Sequence, residues 1–148
     1  MITAPLYLVA CSAAKLDQPA RAQDLYQGQA FRFARALVEA RGAQWKILSA
    51  KYGLVDPQDV IAPYDVTLTQ QPVATRKSWG AHVAAQLYGQ GFAGRPLVFL
   101  AGASYVEPIL RWQITQQCFA NVSLPLAGLG IGYQLHYLKN ALTEQVAA

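Results

Sequence analysis

The chain has 148 residues, two cysteines and a formal net charge of +4. With 53% hydrophobic and 14% charged residues it is excluded from the disordered class, and one domain over 1–148, burying about two-thirds of its unfolded surface, is expected. No apolar run approaches ~20 residues, and no charged-then-apolar leader opens the chain, so neither a membrane span nor a secretory signal is expected. The unpatterned cysteines point to a reducing cytoplasm.

In chain order, residues 4–11 (A-P-L-Y-L-V-A-C) form a continuous apolar run of strand length, as expected where a sheet is covered on both faces. Residues 27–41 carry Ala30, Phe33, Ala34, Leu37 and Val38 on one helical stripe, ended by Gly42. Residues 44–50 form the second strand, and 51–71 the longest irregular stretch, a length usually tied to function. A helix over 72–88 follows, opened near Pro72, with Val73, Val83, Ala84 and Leu87 inward. Residues 96–101 are the third strand. The next helix, about 105–118, carries Val106, Ile109 and Leu110. Its start is open between a Ser104–Glu107 capping box and Pro108. Residues 121–126 read as a weaker fourth strand, and 131–146 as a last helix with Ile131, Leu135, Leu138, Leu142 and Val146. Strand–helix alternation of this kind predicts an α/β protein, a three-layer α/β/α sandwich around a four-stranded parallel sheet.

Parallel strands present their carboxyl ends on one rim, where open α/β sheets bind ligands. The unusual residues follow the four strands: Cys11, Ser12 and Lys15; Lys51 and Tyr52, then Asp56, Tyr64 and Asp65; Gly102 and Tyr105; and Gly128, Gly130, Gly132 and Gln134. Each also has a plain reading. Cys11 fits a small packed strand-end residue, because a buried cysteine is usually inert. Lys15 and Lys51 fit solvated lysines, although Lys51 directly ends a buried strand. The G-x-G-x-G of 128–132 is neither a Walker loop nor the dinucleotide fingerprint, and fits a tight turn as well as a phosphate cradle. Tyr64-Asp65 fits a turn with an Asx cap. Trp45, Trp79 and Trp112 read as core or helix-face residues rather than a stacking platform. His82 and His136 have no close ligand partner in sequence, so no metal site and no cofactor are expected.

Five ordered blocks, C-S-A-A-K, D-L-Y, S-A-K-Y-G-L, P-Y-D and G-L-G-I-G, run through nearly the whole chain. On them the chain resembles a family of bacterial and phage domains of unknown function. The S-A-K-Y-G-L and P-Y-D blocks are also similar to part of the YaaA peroxide-stress proteins, which implies DNA binding and protection from oxidative damage. The strand plan resembles the uracil-DNA-glycosylase-like fold, which implies the order 2-1-3-4, and a related fold in the core of archaeosine synthase. The Asp-Pro-Tyr-His order of the glycosylases is absent; here Asp65 follows Pro63 and Tyr64.

The leading expectation is a nucleic-acid- or nucleotide-directed domain acting as an N-glycosidase on modified bases. Asp65, with Asp56 as second choice, would orient water or stabilise the cationic sugar. Lys51 or Lys15 would stabilise the departing base, and Tyr52 or Tyr64 would stack on it. Cys11, Ser12, Gly102, Tyr105, Gly128, Gly130 and Gln134 would line the binding surface. The expected partner is DNA rather than RNA, or a nucleotide-like small molecule, in keeping with a pI near 9.2. Two other readings stay open. One is a non-catalytic DNA-binding stress protein with Lys51, Arg76 and Lys77 on phosphates. The other is a transferase or lyase acting on a small nucleotide-like molecule through a lysine amine.

Overall fold

The computed structural model describes residues 4–111 and 121–147. Its elements follow in the order β1 (Leu6–Ala10), β2 (Ala20–Arg21), α1 (Ala22–Leu25), α2 (Gln29–Ala40), β3 (Gln44–Ser49), β4 (Gly53–Val55) and β5 (Val60–Ile61). A 3-10 turn (Leu68–Gln70), α3 (Val73–Gly89), β6 (Leu97–Leu100), α4 (Ala103–Leu110), β7 (Val122–Ser123) and α5 (Ile131–Ala147) complete them. The architecture is α/β, with helices on both faces of a five-stranded mixed sheet ordered β4-β3-β1-β6-β7.

The four strands read from the sequence are adjacent and parallel, in the order 2-1-3-4. The expectation of a purely parallel four-stranded sheet is corrected by β4, which pairs antiparallel with β3 from Ile47↔Val55 to Ser49↔Gly53. Gly53, at φ +77°, makes the reversal in the left-handed region that favours glycine. A three-residue strand is too short to display alternation, so it hid inside the stretch read as irregular. Gln86 of α3 answers the backbone of this strand: its side chain accepts from the Leu54 amide at 2.8 Å and donates to the Leu54 carbonyl at 3.2 Å. Strands β2 and β5 pair separately and take up more of that stretch. The fourth strand is shorter than read, two residues instead of six.

Alternation along β1 splits the interior in two. Leu6 and Leu8 enter a core with Val83 and Leu87 of α3 and Ile109 of α4. Tyr7 and Val9 enter the opposite core with Ala34, Leu37 and Val38 of α2 and Leu138 of α5. Several expected inward residues differ. Phe31 replaces Ala30, which is exposed, and Phe33 is half-buried. Val73, Ile131 and Val146, on the first or last turns of their helices, are exposed. Helix α4 opens at neither proposed point: Gly102 is its N-cap and Pro108 lies inside it. The later half of the helix read over 105–118, with Trp112 and Cys118, lies outside the described residues.

Asp56, second choice for a catalytic carboxylate, pairs with Lys46 of β3 at 2.8 Å. It also accepts the Gln58 amide at 2.9 Å. The Lys46 ammonium, then the Gln58 amide, hold this carboxyl below the usual carboxylate range. A depressed folded value stabilises the protein above the unfolded pKa of about 4, and that contribution is lost as pH falls through the folded value. The Asp56 side chain is 42% exposed, so solvent screens the pair. Asp56→Asn is expected to cost about 0.5–1 kcal/mol at neutral pH and almost nothing at about pH 2. Urea melts at the two pH values check this; an equal loss at both would assign the effect to the turn rather than the charge.

Candidate functional site

The strand order reverses between β1 and β6. From β1 the chain passes to β3 on one side, and β6 then enters on the other. The carboxyl ends of β1 and β6 therefore diverge into the loops that carry Cys11–Ser12 and Ala101–Gly102. This is the topological switch point, where α/β sheets open a crevice. A cleft of about 550 Å³ lies there.

Three first turns face this cleft. Gly28, Gln29 and Ala30 come from the start of α2, Gly102 and Ser104 from the start of α4, and Ile131 and Gln134 from the start of α5. The N-caps of α2 and α4 are glycines, and no side chain caps either helix from that position. The first amides of a helix have no intrahelical acceptor, and the helix dipole adds partial positive charge. No charged side chain is among the described residues lining the cleft; aliphatic groups such as Leu100, Leu126 and Leu138 form its floor.

The polar lining is neutral. Ser12 Oγ accepts the Gly28 amide at 3.1 Å and donates to the Ala14 carbonyl at 2.9 Å, so it ties the loop after β1 to the start of α2. Cys11 Sγ lies 3.3 Å from Tyr105 Oη. Gln134 Nε2 donates to the Leu129 carbonyl at 2.9 Å, which orients the amide and leaves its oxygen as an acceptor. Burial, and then the neighbouring Cys11 sulfur, push the Tyr105 phenol well above its ordinary pKa, so it stays a neutral hydrogen-bonding group.

Beside the cleft lies a hydroxyl cluster. Tyr64 Oη is 2.8 Å from both Tyr26 Oη and Ser49 Oγ. Ser49 Oγ also accepts the Tyr52 amide at 3.0 Å, and the Ser49 carbonyl accepts the Trp79 indole N–H at 2.8 Å. Burial pushes Tyr26 up to about 12 and raises Tyr64 further. Lys15 sits 4.2 Å over the Tyr64 ring, and Tyr52 meets that ring edge-on at 5.5 Å.

The cleft thus gathers Cys11, Ser12, Gly102, Tyr105 and Gln134. Lys15, Lys51, Tyr52, Tyr64, Asp65, Gly128 and Gly130 lie outside its lining. Lys51 is exposed, 5.3 Å from the Tyr52 ring. Asp65 is exposed and makes no hydrogen bond or ion pair among the described residues. Tyr64, not Asp65, ties this loop to the sheet, through Ser49 at the end of β3, and to Tyr26. Gly128, at φ +75°, and Gly130 form an exposed turn, and the Gly130 carbonyl accepts the Gln134 amide at 2.9 Å. Among the described residues no three His, Cys, Asp or Glu side chains cluster as metal ligands would. No helix there is long and apolar enough to cross a membrane. Sequence reasoning passed over Gly28, Ser104, Tyr26 and Ser49. The D-L-Y block held Tyr26 in view, but a phenol buried by a distant loop carries no local signal.

A profile of a family of unknown function, DUF6884, matches residues 6–140. The chain is similar to the uncharacterized protein YfjM of Bacillus subtilis (strain 168), at 31% identity over 131 residues. That alignment covers 86% of this chain and 83% of the relative.

Proposed function

The chain belongs to DUF6884, a family of unknown function, and on that premise we propose that its switch-point cleft binds a nucleotide-like small molecule, with the phosphate at the converging helix starts and the base over the apolar floor. The observation that carries this reading is the meeting of three helix first turns in one uncharged cleft of about 550 Å³. That volume is within the range of small-molecule sites. Amides and dipoles at helix starts attract phosphate, and the absence of a lining carboxylate among the described residues removes a competing repulsion. Tyr105, Cys11 and the Gln134 oxygen are neutral partners suited to the edge of a base.

The uracil-DNA-glycosylase-like fold belongs to the same proposal; four parallel strands in the order 2-1-3-4 between helical layers support it. Hydrolysis of an N-glycosidic bond by Asp65 is a further step. It requires the loop carrying Asp65 to approach the cleft, so binding is the reading the geometry favours over bond cleavage.

The test is calorimetric titration of 5′-mononucleotides against the matching nucleosides, with the parent and Gly102→Val. Gly102 has an extended backbone, open to any residue, and a Cβ there would point to within 3.3 Å of the Gln134 amide nitrogen. Valine therefore narrows the cleft without backbone strain. The expected result is nucleotide binding about tenfold tighter than nucleoside binding, or about 1.4 kcal/mol, and a similar loss in Gly102→Val with the melting temperature nearly retained. Equal nucleotide affinity in the two proteins, or no binding by the parent, would sink the reading.

A further inference from the structure

Beyond Ser104 the cleft meets a second feature. Ser104 also lines a groove between α3 and α4, of about 320 Å³, walled by Arg76, Lys77, Glu107 and Arg111. An adjoining cleft of about 560 Å³ extends it, again past Lys77 and Arg111. Three cations face one carboxylate, and none of the four forms an ion pair among the described residues. Arg76 Nε is buried and has no hydrogen-bond partner among the described residues. A buried guanidinium N–H without an acceptor calls for an explanation, and an incoming anion is one that the surrounding charge favours.

We propose that this groove is a phosphate track for a single-stranded polynucleotide, one nucleotide of which occupies the switch-point cleft. The inference rests on the cleft reading for the seat of that nucleotide, and on the groove itself for the polyanion. The strand is single because a base must leave a duplex to reach the foot of a sheet crevice. Arg76, Lys77 and Arg111 bind backbone phosphates, and Arg76 Nε gains its missing acceptor. Glu107 opposes the phosphates and moderates affinity.

Fluorescence anisotropy with labelled oligo-dT and oligo-rU, each at several salt concentrations, tests this on the full chain. The variants are the triple Arg76→Gln/Lys77→Gln/Arg111→Gln, the double Lys77→Gln/Arg111→Gln, which touches only exposed side chains, and Glu107→Gln. Each phosphate contact on a single strand contributes about −0.7 to the slope of log K against log salt. The triple variant is expected to flatten the slope by about two, the double by about 1.4. Both should weaken oligonucleotide binding at low salt while mononucleotide titration stays at the parent level, and Glu107→Gln should tighten the oligonucleotide. The two oligonucleotides report whether the sugar is read. An unchanged slope in a folded double variant overturns the inference, and does so even if mononucleotides bind. Loss of mononucleotide binding by the parent with the salt effect intact removes the cleft reading and leaves the track.

Discussion

Gly80→Ala is expected to lower stability by about 2–3 kcal/mol, which for a chain of this size is a fall of roughly 6 °C or more in melting temperature. Gly80 is buried in α3 where that helix crosses α4. A Cβ at this position would overlap the Pro108 carbonyl and stand 2.7 Å from the Pro108 Cβ. The obstacle is backbone, so no side chain can swing aside; one helix must move. Helix propensity alone would favour alanine by about 1 kcal/mol, which makes the sign of the change diagnostic. Gly89, in the same helix, has no described atom within 4 Å of its would-be Cβ, so Gly89→Ala is the matched control and should be neutral or slightly stabilising. Thermal and urea melts of the pair decide. Because α4 carries Ser104 and Tyr105 into the cleft wall, the Gly80 variant should also bind mononucleotide more weakly in its folded fraction. If Gly80→Ala proves as stable as its Gly89 counterpart, the close crossing of α3 and α4 is wrong.

Tyr64→Phe should cost about 1–3 kcal/mol, although it removes a single oxygen. The lost hydroxyl joins Tyr26 and Ser49. Both of those side chains are buried, Tyr26 at 1% and Ser49 at 0% exposure, so neither has water to replace the lost partner. The loop around residues 62–67 should exchange its amide hydrogens faster than in the parent. The alkaline limb supplies a second readout. A phenol whose folded pKa is raised stabilises fully below its unfolded value, about 10, and that contribution is lost as pH rises through the folded value, about 12 for Tyr26. The variant carries one raised phenol fewer, so its stability should fall less steeply above about pH 10. A Tyr64→Phe protein with parental stability and unchanged loop exchange would mean that the hydroxyl cluster is not what holds the loop. Asp65→Asn, next door, should change stability by no more than about 0.5 kcal/mol, since Asp65 is exposed and makes no ion pair among the described residues.

What the sequence determined by itself was the parallel framework and its rim. Continuous apolar runs at 4–11, 44–50 and 96–101 have one economical arrangement, a sheet covered on both faces. The helical stripes between them bring the chain back in the same direction, so Cys11, Ser12, Gly102 and Tyr105 had to follow strand ends on one edge. Periodicity reports which residues are apolar at which spacing, and little else. It could not report β4, whose three residues are shorter than one useful period. Nor could it report that Phe31 rather than Ala30 turns inward, since adjacent helical positions differ by only about 100°. The tertiary structure alone decided which rim residues share a cavity. The crevice opens between the two central strands where their connections part, and this admits Gly28, Ser104 and Gln134 from three different helices. The residues chosen for their charge, Lys15, Lys51 and Asp65, lie outside it. The physical reason is one of range. Backbone direction and burial follow from neighbours a few residues away, whereas the meeting of Ser12 with Gly28, of Tyr64 with Tyr26 and Ser49, and of Ser104 with Arg76 along one groove depends on where whole helices come to rest on the sheet.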